Sequence, residues 1–207
     1  MDPRWQHPFT CVIAGPTGCG KTQWVLRFIR DLHHLVQPVP THIVYSYGEW
    51  QPAYRELPDS VRLTEGMPEL PEHSREPMLL VIDDQMEQVN KTLTRLFTKG
   101  SHHRNISVMY IVQNLFDKNS EFRTISLNSH YLVIFNNPRD RSQMMHLAKQ
   151  MYPGQWDYVK EAFPLATREA HGYLLVDLKQ STPEGIRLRS RIFPGEVHEV
   201  YVPQKTL

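Results

Sequence analysis

The residues best suited to chemistry lie near the start of the chain, where GPTGCGKT occupies positions 15–22. This stretch fits the pattern G-x-x-x-x-G-K-[ST], whose glycines let backbone N–H groups turn inward around phosphate oxygens. An apolar run precedes it, and a helical pattern that would point its positive end at the same anion follows. We therefore predict that ATP and Mg²⁺ bind here, with the nucleotide held by Gly15, Pro16, Thr17, Gly18, Cys19, Gly20, Lys21 and Thr22.

Two of these side chains have specific expected roles. The Lys21 ammonium reaches the β- and γ-phosphates, and the Thr22 hydroxyl ligates Mg²⁺. The acidic partner is expected in LLVIDD, an apolar strand that ends in Asp83 and Asp84. Asp83 would complete the Mg²⁺ shell, and Asp84 would orient or deprotonate the attacking water. The competing interpretation is that Asp84 only caps the next helix or completes a turn.

A further polar side chain interrupts the apolar strand VMYIVQN at Gln113. At the C-terminal end of a parallel strand beside the phosphate loop, an amide can sense the γ-phosphate or hold the water. Ordinary solvation of a loop is the alternative. We interpret Gln113 as the sensor because the preceding strand positions are apolar.

The elements that must position these residues follow from hydrophobic periodicity. Strands are predicted at 9–14, 41–47, 78–84, 106–114 and 130–137, and helices at 21–36, 88–98, 138–151 and 156–163. Residues 52–77 are rich in proline and are predicted to be irregular, and 172–178 with 186–193 to form a hairpin at a sheet edge. Alternating strands and helices predict an α/β P-loop NTPase of the ASCE, RecA-like class, with a mainly parallel central sheet flanked by helices.

The predicted domain organisation is one P-loop ATPase domain over residues 1–207, with a core at 9–165 and a C-terminal hairpin extension at 170–203. Hydrophobic residues make up 40% of the chain, which is enough for a sizeable core. The formal net charge is only +1, so any basic surface must come from local clustering. The chain has two cysteines, and it contains neither an apolar run of membrane-spanning length nor the apolar core of a signal peptide. These features predict an intracellular protein that is neither secreted nor in a membrane.

The motifs together resemble the viral genome-packaging ATPases of the FtsK–HerA superfamily, in particular the poxvirus type and the small Maverick/Polinton type. GPTGCGKT is generic, whereas the IDD ending, HHRNISVMYIVQNLF and NSHYLVIFNNPRD are more specific. By position, Lys21 and Thr22 match the family's Walker A residues, Asp83 and Asp84 its Walker B pair, and Gln113 its sensor. Many members have Glu where this chain has Asp84.

The resemblance implies an ATP-driven translocase for double-stranded DNA that works as a homo-oligomeric ring, a hexamer or pentamer, and fills a viral capsid. It implies a location in the host nucleus or at a cytoplasmic site of virus assembly. Two other interpretations stay open. One is a P-loop kinase for a nucleoside or another small molecule. The other is a non-catalytic, nucleotide-dependent switch that controls assembly.

A ring ATPase usually completes each site with an arginine from the neighbouring subunit. Arg104 precedes the strand that ends at Gln113, at the end remote from its own nucleotide, and the superfamily places its arginine finger in this region. We therefore predict that Arg104 acts in trans. Arg123, Arg139 and Arg141 are the rivals.

A second group of arginines alternates along IRLRSRIF, at positions 187, 189 and 191. On a strand these side chains would share one face. That face could contact phosphates or an acidic neighbour, or its charges could protect an edge strand from aggregation.

Overall fold

The computed structural model describes residues 2–83, 91–116 and 120–203, and a nine-stranded sheet is its central element. The sheet order is β11-β10-β9-β8-β2-β7-β6-β4-β5, and β1 with β3 forms a separate two-stranded pair. The strands are β1 (Trp5–Gln6), β2 (Thr10–Ala14), β3 (Val36–Gln37), β4 (His42–Tyr47), β5 (Val61–Glu65), β6 (Met78–Asp83), β7 (Ile106–Val112), β8 (Tyr131–Phe135), β9 (Tyr173–Asp177), β10 (Leu188–Ser190) and β11 (Glu199–Tyr201).

Helices cover both faces of this sheet. They are α1 (Lys21–Arg30), α2 (Leu32–Leu35), α3 (Lys91–Arg95), α4 (Ser101–Arg104), α5 (Ser120–Leu127), α6 (Ser142–Met151) and α7 (Trp156–Ala166), with a π-helical turn at Leu96–Gly100 and 3₁₀ turns at Pro52–Glu56 and Glu184–Ile186. Among the described residues, no helix has the length and apolar character needed to cross a membrane.

Six neighbouring strands, from β8 to β5 in the sheet order, run parallel. Strand β7 lies between β2, which leads into the phosphate loop, and β6, which ends in Asp83. Every residue of β2, β6 and β7 is buried. Their continuous apolar runs reflect this burial, because a central parallel strand is covered on both faces.

Side chains alternate between two hydrophobic cores, one on each face of the sheet. Cys11 and Ile13 of β2 pack with Trp24 of α1, whereas Val12 packs with Phe122 of α5 on the opposite face. This alternation follows from the two-residue repeat of a strand. The predicted α/β class with a mainly parallel sheet and flanking helices is therefore confirmed.

The C-terminal strands extend the sheet through antiparallel pairings. Strand β9 pairs with β8, β10 with β9, and β11 with β10. The predicted hairpin is present as β9 and β10, but β10 is shorter than predicted, and the edge strand is β11, which pairs with the outer side of β10. The idea that the arginines of IRLRSRIF guard an edge strand is therefore wrong, because β10 is an interior strand.

Those arginines contact acidic neighbours within the chain. Arg189 is 4% exposed and its Nη2 donates to Asp177 Oδ2 at 2.8 Å. Arg187 pairs with Glu184 at 2.6 Å, and Arg191 pairs with Glu169. The centre of this row of arginines is thus a buried ion pair with an acidic neighbour, one of the alternatives that the sequence left open.

Further differences from the sequence-based expectation concern β5 and α5. The proline-rich stretch at 52–77 contains strand β5, which pairs with β4 at the edge of the sheet. A helix that was not expected, α5, precedes β8.

Candidate nucleotide site

The phosphate loop lies between the end of β2 and the start of α1, at the C-terminal edge of the parallel strands. Gly15 N–H donates to the carbonyl of Val112 at 3.3 Å, which ties the loop to the end of β7. Gly20 has a φ of 105°, a left-handed conformation that glycine adopts without strain. A Cβ at Gly20 would also come within 3.0 Å of His171 Nδ1, so both the turn and the close approach require glycine here.

One cavity of about 320 Å³ opens above this loop, and we call it the phosphate cavity. Its lining includes the four side chains to which the sequence assigned phosphate, metal or sensor roles, Lys21, Thr22, Asp83 and Gln113, together with Thr17, Gly18 and Gly20 of the loop. The four side chains come from the start of α1 and from the ends of β6 and β7, which meet because the parallel strands share one C-terminal edge. The first turn of α1 points its N-terminus at the same cavity and contains no acidic residue. This arrangement suits a polyanion.

Lys21 is held by the carbonyls of its own loop. Its Nζ donates to Gly15 O at 2.6 Å and to Pro16 O at 3.0 Å. The ammonium therefore lies at the mouth of the loop, where a phosphate oxygen would compete with these carbonyls for its protons.

Asp83 is 3% exposed and accepts three hydroxyl hydrogen bonds at its Oδ2. Tyr45 donates at 2.6 Å, Tyr54 at 3.0 Å and Thr22 Oγ1 at 3.4 Å. Burial, and then the adjacent Asp83 carboxylate, raise the pKa of Tyr45 far above its ordinary value, so its hydroxyl stays a donor.

The donor set at this position fits Mg²⁺. The Thr22 hydroxyl and the Asp83 carboxylate are hard oxygen ligands on the wall of one cavity, 3.4 Å apart. Mg²⁺ is usually held by one or two such protein groups together with phosphate oxygens and water. Thr22 and Asp83 are the residues that would hold it.

His171 is a site residue that sequence reasoning missed. Its Nδ1 lies 3.0 Å from the carbonyl of Cys19, and it lines the phosphate cavity. It lies just before β9, which runs antiparallel to β8 and therefore begins at the phosphate-loop edge of the sheet. No local sequence pattern signals a contact across this separation.

A second cavity, of about 480 Å³, adjoins the first and shares Gly20, Gln23 and His171 with it. Arg27 lies on its wall, with its guanidinium 4.2 Å from the Phe193 ring centroid and 2.6 Å from the Glu196 carboxylate. The two cavities together are large enough for a complete nucleotide, because ligand pockets are commonly 300–1,000 Å³.

The remaining predicted residues lie elsewhere. Asp84, the expected base, falls outside the described residues. Arg104 ends α4 just before β7, so the whole of that seven-residue strand separates it from its own phosphate loop. At the usual rise this strand spans about 20 Å. Arg139 and Arg141 are exposed on the loop that follows β8, at the phosphate-loop edge, and Arg123 is exposed on α5.

Comparison with solved structures gives a match over nearly the whole chain. The genome packaging NTPase B204 from Sulfolobus turreted icosahedral virus 2, solved in complex with ATP-gammaS, superposes with a TM-score of 0.54. The match covers 98% of this chain and 99% of that chain at 12% sequence identity. This chain has the P-loop NTPase fold. No protein-family model and no curated protein matches the sequence.

The likeness concerns the fold, because the identity of 12% is too low to transfer residue roles. Lys21, Thr22 and Asp83 nevertheless lie at positions that are consistent with the P-loop NTPase fold. The loop, the helix and the acidic strand occupy the places that the sequence motif requires.

Proposed function

We propose that this protein is an ATP-hydrolysing motor that moves double-stranded DNA into a viral capsid. The observation that carries the proposal is the convergence of Lys21, Thr22, Asp83 and Gln113 on one cavity beside a helix N-terminus. The near full-length likeness to a packaging NTPase supports the packaging role.

The reaction assigned to this site is hydrolysis of the γ-phosphoryl group. The oxygen of a water molecule forms a bond to the γ-phosphorus, the bond from that phosphorus to the β–γ bridging oxygen breaks, and ADP leaves with that electron pair. We assign the water's proton to Asp84, the carboxylate next to Asp83 in the sequence. Gln113, on the cavity wall, orients that water or reports the γ-phosphate.

The chain's own groups position the triphosphate. Backbone N–H groups of the loop and the Lys21 ammonium bind its oxygens, and positioning of this kind dominates catalysis of phosphoryl transfer. Bound Mg²⁺ supplies charge neutralisation at the β- and γ-phosphates. The adjoining cavity at Gln23 and His171 is where we place the nucleoside.

The motor function needs assembly. We propose a homo-oligomeric ring in which Arg104 enters the active site of a neighbouring copy, because β7 holds it at the edge of the sheet opposite its own loop. We propose that the protein acts inside the infected cell, on the capsid and the viral genome.

The test combines turnover with mass in solution. Purified protein is assayed for ATP hydrolysis with long duplex DNA, with oligonucleotide duplexes and without DNA, while light scattering records its mass. If the protein is a motor, it forms a ring and hydrolyses ATP faster when long duplex DNA is present. This stimulation falls steeply as the salt concentration rises. Turnover that requires a small-molecule acceptor would identify a kinase. Tight ATP binding with negligible turnover under all three conditions would identify a switch.

A further inference from the structure

We propose that Tyr45 and Tyr54 are positioning residues that hold the Asp83 carboxylate in the orientation required for Mg²⁺-dependent nucleotide binding. The inference rests on the proposed function, since it assigns Asp83 to the Mg²⁺ shell. It adds two residues from a segment that the phosphate-loop motif does not include.

Both hydroxyls converge on the same atom. Tyr45 OH lies 2.6 Å and Tyr54 OH 3.0 Å from Asp83 Oδ2, and Thr22 Oγ1 approaches that oxygen at 3.4 Å. Two fixed donors on one carboxylate oxygen restrict rotation of the carboxylate about its Cβ–Cγ bond. The direction of both carboxylate oxygens is therefore set before any ligand arrives.

The tyrosines are themselves rigidly placed. In the β4–β6 pairing, Tyr45 stands opposite Val81, two residues before Asp83 on the same face of the sheet. This diagonal relationship between neighbouring strands is within reach of a tyrosine side chain. Tyr45 is 0% and Tyr54 2% exposed, so packing leaves their rings little freedom to turn.

Tyr54 comes from a different element, the 3₁₀ turn Pro52–Glu56. Its ring centroid lies 5.0 Å from that of Tyr45 and 5.3 Å from that of Tyr47. Gln51 and Ala53, on either side of this turn's start, line the phosphate cavity. The segment after β4 thus forms a wall of the cavity and also supplies a donor to its carboxylate.

This arrangement affects binding because a pre-oriented ligand loses less conformational freedom when the metal and nucleotide arrive. Removing a hydroxyl would leave Asp83 in place but free to adopt other orientations. The expected effect is therefore on the Mg²⁺ requirement, whereas Mg²⁺-independent contacts of the phosphate loop should be unaffected.

The experiment uses the full chain with the single substitutions Tyr45→Phe and Tyr54→Phe. Tyr47→Phe is the matched control, since Tyr47 lies on the same strand and packs on Tyr54. Affinity for a fluorescent ATP analogue is measured at graded Mg²⁺ concentrations and in EDTA, and thermal unfolding is followed by circular dichroism.

We expect each of the two variants to need about fivefold more Mg²⁺ for half-maximal tightening of binding, a fold-change typical of one hydrogen bond. Affinity in EDTA and the Tyr47→Phe titration should match wild type. A wild-type Mg²⁺ dependence in both folded variants would overturn the inference and leave the proposed function standing. Failure of both variants to fold would also overturn it, because the hydroxyls would then serve only stability. A wild-type protein with no Mg²⁺-dependent nucleotide binding would refute the proposed function itself.

Discussion

Arg189 Nη2 lies 2.8 Å from Asp177 Oδ2, and the two side chains are only 5% and 7% exposed. Asp177 also accepts hydrogen bonds from Lys179 N–H at 3.1 Å and from the Thr182 hydroxyl at 2.9 Å, both at Oδ1. Arg189 Nη1 in addition donates to the carbonyl of Pro3 at 3.1 Å. This pair joins β9, β10 and the N-terminal segment.

The first prediction concerns the stability of that junction. Asp177→Ala leaves a buried guanidinium without its carboxylate, which should lower the free energy of unfolding by about 3–5 kcal/mol. Chemical denaturation followed by circular dichroism measures this change. Glu56→Ala is the control, because it removes an exposed partner 3.8 Å from Arg30 and should cost less than about 1 kcal/mol. Equal effects of the two substitutions would contradict the prediction.

The second prediction concerns Lys21. Lys21→Ala removes the cation at the mouth of the loop, so turnover should fall by at least about a hundredfold and ATP affinity should weaken. Steady-state hydrolysis and equilibrium binding of a fluorescent analogue measure the two effects. Lys160→Ala, on the exposed surface of α7, should behave as wild type. Near-normal turnover in Lys21→Ala would remove the phosphate loop from the mechanism.

A third prediction uses the Cys19 thiol of the phosphate loop. Burial raises the pKa of Cys19, and the nearby Lys21 ammonium only partly opposes this effect. Since the thiolate is the reactive form, alkylation by iodoacetamide should be slower than for free cysteine at pH 7 and should accelerate as pH rises above 9.

ATP should slow the labelling further, because it covers the loop. Mass spectrometry of timed samples gives the rates, and Cys19→Ala should remain unlabelled because Cys11 is 0% exposed. Alkylation at neutral pH as fast as that of free cysteine would show that the thiol is not shielded.

The fourth prediction tests Arg104 in trans. Arg104→Ala should bind ATP normally but hydrolyse it about 10³- to 10⁵-fold more slowly. Mixing it with Lys21→Ala should restore part of the activity, because some interfaces then combine an intact loop with an intact arginine. Recovery should increase with protein concentration, since it requires assembly.

Arg75→Ala is the matched control for this experiment, because the neighbouring Ser74 N–H donates to the Arg104 carbonyl and Arg75 is exposed. It should hydrolyse ATP as wild type does. Full activity of Arg104→Ala, or wild-type turnover by a protein that remains monomeric, would exclude this role. Arg123, Arg139 and Arg141 would then be the candidates for an arginine that acts in trans.

The sequence predicted the parallel core because its strands are continuous apolar runs. The structure brings Lys21, Thr22, Asp83 and Gln113 to one cavity, and their roles in nucleotide chemistry stay predictions. Sequence reasoning missed β5 because Val61–Glu65 is a partly exposed edge strand among prolines, with only Val61 buried. The alternation in IRLRSRIF was recognised, but periodicity alone does not reveal that another strand, β11, pairs with β10 and makes it an interior strand.

The role of His171 could not be predicted for a different reason. Its contact with Cys19 joins residues 152 positions apart and depends on the reversed direction of β9. No motif marks Tyr45 and Tyr54 either, because their convergence on Asp83 depends on the register of β4 with β6 and on the 3₁₀ turn Pro52–Glu56.

The antiparallel course of β9 also has a consequence for how the protein is made. Synthesis proceeds from the N-terminus at roughly 5–20 residues per second. The phosphate loop at residues 15–22 therefore leaves the ribosome many seconds before His171, which contacts the loop at the Cys19 carbonyl. The loop is therefore translated well before the residue that completes its set of neighbours. A nascent chain that stalls before β9 would expose an unfinished nucleotide cavity, and its maturation is tied to translation of the C-terminal strands.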